Sequence, residues 1–139
     1  METTALDKVL IDTSVWISFF RKQEPCYETV GGLIDEGRIC CCGLILAELL
    51  QGAKSTAEQT ILADFPAVFD FIREDVETWA NAGRLSCSLR QKGITIGLAD
   101  CFIAVAAATN GVPLATLDKH FGELAGRAGL KLFPLSRDS

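Results

Sequence analysis

The chain predicts an α/β fold: one domain spanning 1–139, in which a five-stranded, mostly parallel sheet is flanked by helices on both faces. Three observations carry this expectation. Short apolar runs alternate with longer helical segments. Gly, Pro and Asn punctuate the boundaries between them. No internal repeat, low-complexity tract or linker divides the chain.

The elements follow in order. Lys8 to Ile11 is the first strand. Thr13 or Ser14 then caps a helix to about Arg21, with Trp16, Phe19 and Phe20 on its apolar side. Pro25 opens a second helix through Glu36, and Gly37 stops it. Arg38 to Cys42 is the second strand. A helix from about Leu44 to Gln51 ends at Gly52, and Ser55 caps another through about Phe65. Val68 to Phe71 is a short third strand. Asp75 to Gln91 is a long amphipathic helix closed by Gly93. Leu98 to Thr109, closed by Asn110-Gly111, is apolar enough to be buried nearly all round. Val112 to Thr116 is the fourth strand and Leu130 to Phe133 the fifth.

Composition sets bounds on function. A hydrophobic fraction of 49% and a charged fraction of 22% describe an ordinary globular domain. The net charge of -5 argues against a protein that holds nucleic acid by charge alone. If the substrate is nucleic acid, bound cations must offset the acids. Val9 to Phe20 is too short to span a bilayer and contains Asp12, and nothing resembles a signal peptide. The expectation is a soluble cytoplasmic protein with no membrane contact. The six cysteines contain no C-x-x-C, and one histidine does not make a Cys/His zinc pattern. Cys40-Cys41-Cys42 reads as a buried strand in which cysteine is a small apolar residue, which fits a reducing compartment.

Four acids interrupt or end apolar runs: Asp12, Glu48, Asp100 and Asp118. A carboxylate in apolar surroundings costs several kcal/mol unless it is paired or bound to metal. Asp12 and Asp118 fall just past the carboxyl ends of strands, where open α/β sheets bind ligands. Asp100 falls in the first turn of the buried helix, where the helix dipole favours an anion. Glu48 lies mid-helix among leucines. Each acid also has a structural explanation. Asp12 and Asp118 can cap the helices that follow them, Asp100 can be a first-turn charge, and Glu48 can reach the surface. All four together satisfy one shared metal pocket. Oxygen ligands without paired histidines or thiolates suit Mg²⁺ or Mn²⁺. There is no G-x-x-x-x-G-K-[ST], G-x-G-x-x-G or G-x-S-x-G motif.

Four segments resemble the motifs of PIN-domain nucleases, in order and across essentially the whole chain. Val9-Leu10-Ile11-Asp12-Thr13-Ser14-Val15-Trp16-Ile17 resembles their opening strand, and Leu46-Ala47-Glu48-Leu49-Leu50-Gln51-Gly52 their glutamate helix. Gly97-Leu98-Ala99-Asp100-Cys101-Phe102-Ile103-Ala104 and Leu114-Ala115-Thr116-Leu117-Asp118-Lys119-His120-Phe121 resemble their third and fourth acidic motifs. Within the family the chain looks most like the VapC ribonuclease toxins. The resemblance implies Mg²⁺- or Mn²⁺-dependent RNA cleavage, a homodimer and inhibition by a VapB antitoxin. It carries Asp12, Glu48, Asp100 and Asp118 over as the acidic site, with Asp118 the more remote. Thr13, Ser14 and Thr116 occupy motif positions suited to a water or phosphate.

Arg21, Lys22, Lys54, Arg90, Lys92 and Lys119 lie near element ends and are candidates for phosphate contact, although solvated surface charge explains such residues equally. Trp16, Phe19, Phe20 and Trp79 either line a groove for a partner peptide or pack in the core. Two other function classes stand beside the nuclease. A phosphoacceptor signalling domain requires a second acid at the first strand and a lysine closing a late strand, where this chain has only Asp12 and a Lys119 outside any strand. A binding module with a non-catalytic acidic pocket is the other.

Overall fold

The computed structural model describes residues 7–135, so the ends of the expected 1–139 domain lie outside the described residues. Four parallel strands form one sheet in the order β3-β2-β1-β4. They are β1 (Val9–Ile11), β2 (Ile39–Cys41), β3 (Asp70–Phe71) and β4 (Leu114–Ala115). Val9 pairs with Ile39, Leu10 with both Cys40 and Leu114, and Cys41 with Phe71. β1 and β2 are buried at every residue, as central strands covered on both faces must be.

The helices are α1 (Thr13–Phe20), α2 (Cys26–Asp35), α3 (Gly43–Gln51), α4 (Thr56–Ala63), α5 (Phe65–Val68), α6 (Val76–Gln91), α7 (Leu98–Thr109) and α8 (His120–Ala128). The chain steps outward from β1 through β2 to β3, then returns past β1 to β4. Right-handed crossovers therefore put α1 to α5 on one face and α6 and α7 on the other. The packing agrees: α1 lies against α2 and α3, and α7 against α6 and α8.

Local chemistry explains the boundaries. Ser55 caps α4 by accepting the Glu58 N–H at 3.1 Å. Asp75 and Thr78 form a reciprocal capping box at the start of α6. Gly111 turns the chain from α7 into β4 at φ 68°, a conformation that disfavours any residue with a Cβ. α7 has the burial its composition implies: Cys101, Phe102, Ile103, Ala104, Ala106 and Ala107 are all in the core. The cysteine strand is likewise core. Cys40, Cys41 and Cys42 are buried and unpaired, and burial pushes Cys40 and Cys41 up to about 12 and Cys42 to about 11. They pack as small apolar groups rather than thiolate ligands. Among the described residues, no helix is long and apolar enough to cross a membrane.

The sheet has four strands, not the expected five. Leu130 to Phe133 makes only one parallel bridge, Leu114 to Leu132. The Leu114 N–H reaches the Lys131 carbonyl at 2.9 Å, and the Phe133 N–H reaches the Leu114 carbonyl at 2.8 Å. Beyond Ala115 the amides of Leu117 and Asp118 bond side-chain hydroxyls, so no ladder continues. The helix expected through Phe65 stops at Ala63, and Pro66 starts the separate short α5, because proline cannot continue a helix from within. α5 absorbs Val68, which shortens β3 to Asp70–Phe71. Helix α8 was foreseen only as a segment that Asp118 can cap.

Phe102 is fully buried and stacks on Trp79, with ring centroids 3.8 Å apart. Truncating a buried phenylalanine costs about 3–5 kcal/mol. Phe102→Ala should lower the urea midpoint accordingly with an unchanged slope; a loss under about 1 kcal/mol would show that α7 is not a core element.

Candidate active site

The sheet order changes direction between β1 and β4, and open α/β sheets bind ligands at the strand ends flanking such a point. Asp12 directly follows β1. Its N–H bonds the carbonyl of Ala115, the last residue of β4, at 2.9 Å. Its own carbonyl accepts from Val15 and Trp16 and so starts α1, but its side chain makes no cap. The carboxylate is only 5% exposed and turns elsewhere. Oδ2 accepts the Ser14 hydroxyl and the Thr116 hydroxyl, each at 2.8 Å. Ser14 Oγ in turn accepts the Leu117 N–H at 3.1 Å, and Thr116 Oγ1 accepts the Asp118 N–H at 3.0 Å.

Glu48 sits on α3, half-buried, and its Oε1 accepts the Thr13 hydroxyl at 2.6 Å. Asp118 Oδ1 accepts the His120 N–H at 2.9 Å, which opens α8. The helix-starting explanation of Asp118 is thus met through this oxygen. His120 Nδ1 lies 3.4 Å from Asp118 Oδ1 and 3.8 Å from Asp100 Oδ2. Asp100, Asp118 and His120 form the tightest group, with one ligand atom from each within 4.8 Å of the others. Asp12 and Glu48 stand outside that group.

Electrostatics nevertheless joins all four acids. Burial pushes the Asp100 carboxyl above its ordinary range, and the charges of Asp118 and Asp12 push it further. His120 opposes the shift and Glu48 adds to it. No lysine or arginine among the described residues forms an ion pair with any of the four; the ion pairs of those side chains are Lys8–Asp70, Arg38–Glu36, Arg84–Glu77 and Arg127–Glu123. The donors are carboxylate oxygens and one imidazole, with every hydroxyl nearby already committed. Such a set fits a hard divalent cation.

Sequence reasoning missed His120. It stands two residues after Asp118 and just before Phe121, whose full burial fixes the start of α8. The D-x-H-F order was the available signal. The aromatic candidates divide. Trp16 is core, packed on Phe65 and Phe69, and Phe19 is half-buried. Trp79 covers Phe102 from α6. Phe20 lines a cavity of about 370 Å³ between α1, α3 and α4, together with Ile17, Ile61 and Leu62. Arg21, Lys54 and Glu48 line the same cavity. Lys22, Arg90, Lys92 and Lys119 are exposed at element ends.

The architecture is a parallel α/β sheet with carboxylates clustered at its switch point, none of them paired to a lysine or arginine among the described residues. The chain belongs to the PIN-domain family, whose sequence pattern matches residues 9–127. It is 29% identical over 127 residues to Ribonuclease VapC1 of Methanocaldococcus jannaschii, covering 91% of this chain and 87% of that protein. Its fold matches a chain from the crystal structure of VapBC2 from Rickettsia felis bound to a promoter DNA fragment. That match has a TM-score of 0.72 at 23% identity, over 90% of this chain and 96% of the other. It also matches VapBC-5 of Mycobacterium tuberculosis, a member of the VapBC family of toxin-antitoxin systems. There the TM-score is 0.64 at 24% identity, over 92% of this chain and 98% of the other.

The raised Asp100 pKa has a stability consequence. The folded state binds this proton more tightly than the unfolded chain does. The group's contribution is therefore most favourable below its ordinary pKa of 3.8 and is lost as pH rises through the elevated folded value. Asp100→Asn removes the penalty. In divalent-free buffer at neutral pH it should raise the melting temperature, with the gain fading as pH approaches 3.8. An equal or lower melting temperature at neutral pH would show that the acids do not repel one another.

Proposed function

We propose that this chain is a Mg²⁺- or Mn²⁺-dependent endoribonuclease of the VapC type, the toxin of a toxin–antitoxin pair. The observation that carries the reading is the set of mutually repelling carboxylates at the β1/β4 switch point, with no lysine or arginine among the described residues paired to them. Clustering acids destabilises a fold unless a cation repays it, and nucleases of phosphodiesters use such cations. Kinship with a protein named as a ribonuclease points to RNA.

Asp12, Asp100, Asp118 and Glu48 would hold the cation. When bound, it supplies positive charge for the phosphate and lowers the pKa of a coordinated water for attack on phosphorus. The other work falls to the chain. Ser14 and Thr116 both donate to Oδ2 of Asp12, and no donor among the described residues takes Oδ1. The proximity of Asp118 to Asp100 supports a direct rather than remote role for Asp118. Glu48, held by Thr13 through Oε1, has its other oxygen available to accept a proton from the attacking water. Arg21 and Lys54, which line the same cavity as Glu48, would meet a phosphate backbone that the net charge of -5 would otherwise repel.

The partners in this reading are the RNA substrate, a VapB-like antitoxin and a second copy of the chain. Fold neighbours solved as VapBC assemblies support the antitoxin. The buried free cysteines suit a reducing cytoplasm.

Purified protein should cleave RNA in Mg²⁺ or Mn²⁺, and EDTA should stop it. Asp12→Asn keeps the shape of the side chain and should cut the rate by about 100-fold or more, the scale of removing one preorganised charge from a transition-state site. Cleavage that persists in EDTA, or a fully active Asp12→Asn protein, would refute the reading. Labelling by acetyl phosphate without RNA cleavage would favour a phosphoacceptor domain instead.

A further inference from the structure

The hydroxyls of Ser14 and Thr116 are double-ended. Ser14 Oγ donates to Asp12 Oδ2 at 2.8 Å and accepts from the Leu117 amide at 3.1 Å. Thr116 Oγ1 donates to the same oxygen at 2.8 Å and accepts from the Asp118 amide at 3.0 Å. The directions are fixed by chemistry. A carboxylate has no proton to give, and a backbone amide has only a proton to give.

Two consequences follow. A hydroxyl carries one proton, and both protons are spent on Asp12. Of the water or phosphate expected at these positions, a water that donates to the hydroxyl is compatible with this arrangement, whereas neither side chain has a donor left for a phosphate oxygen. In addition, two parallel bridges run from one oxygen of Asp12 to two consecutive amides of the segment bearing Asp118. Ser14 comes from α1 and Thr116 from the residue just past β4. The bond from the Asp12 N–H to the Ala115 carbonyl, at 2.9 Å, closes the frame.

We propose that Ser14 and Thr116 are positioning residues that lock Asp12 and Asp118 into one rigid unit and thereby set the cation affinity of the pocket. The proposal rests on the metal-dependent reading above. Groups that orient metal-binding side chains through hydrogen bonds affect affinity by about 10- to 100-fold when lost.

The test is calorimetric titration of Mn²⁺ into RNA-free protein: wild type, Ser14→Ala, Thr116→Val and Thr116→Ser. Ser14→Ala and Thr116→Val should each bind Mn²⁺ about 10-fold more weakly. Thr116→Ser, which keeps the hydroxyl, should bind as wild type does. At saturating Mn²⁺ the KM for RNA should not change. Thr116→Val keeps the side-chain shape and serves if Ser14→Ala does not fold. Unchanged Mn²⁺ affinity with a raised KM would mean direct phosphate contact and overturn the proposal. A lower melting temperature of the metal-free protein with unchanged Mn²⁺ affinity would mean a purely structural role and overturn it as well. A wild-type protein that binds no Mn²⁺ would take down the functional reading together with this proposal. Variants that match a binding-competent wild type would take down this proposal alone.

Discussion

Burial of the Asp12 carboxylate at the meeting of β1 and β4 is the constraint on which the rest depends. The residue is 5% exposed, its Oδ2 is held by two hydroxyls, and no lysine or arginine among the described residues pairs with it. A buried charge supported only by neutral donors is costly. The backbone leaves it little alternative, because its N–H pairs with β4 while its carbonyl starts α1. The peptide unit that joins the two strands is thus the one that delivers the charge to the switch point.

The other acids add to the cost instead of relieving it. Asp100 arrives on the first turn of a helix whose Phe102, Ile103 and Ala104 are buried, and its own side chain is partly buried. Its neighbours Asp118, Asp12 and Glu48 all raise its pKa. His120 is the one nearby group with a contrary effect, and its side chain is 61% exposed. A fold selected for stability alone would place a lysine or arginine here. The surrounding core carries the strain: β1, β2 and half of α7 are buried. The clustered acids of this pocket work against stability.

Much of this was legible in the residues. Acids that break apolar runs are visible without a structure, and strand-end placement follows from the alternation of short apolar runs and helices. The bounds of core helix α7 are legible because Gly97 and Asn110-Gly111 bracket a stretch that is apolar but for Asp100 and the terminal Thr109. The fifth strand was misjudged because Leu130 to Phe133 is apolar enough for a strand, whereas pairing depends on a partner, and β4 is only Leu114–Ala115. The roles of Ser14 and Thr116 were hidden for a related reason. They lie over a hundred residues apart, and only the fold reveals that they share one oxygen of Asp12. His120 is not recognisable as a site residue by type alone, because its relation to Asp100 is tertiary.

The central claim is that these acids are a cation site. Anomalous diffraction from crystals soaked in Mn²⁺ tests it most directly. The account predicts an anomalous peak enclosed by Asp12, Asp100, Asp118 and Glu48. A pocket that stays empty while Mn²⁺ occupies other sites on the same molecule would contradict it.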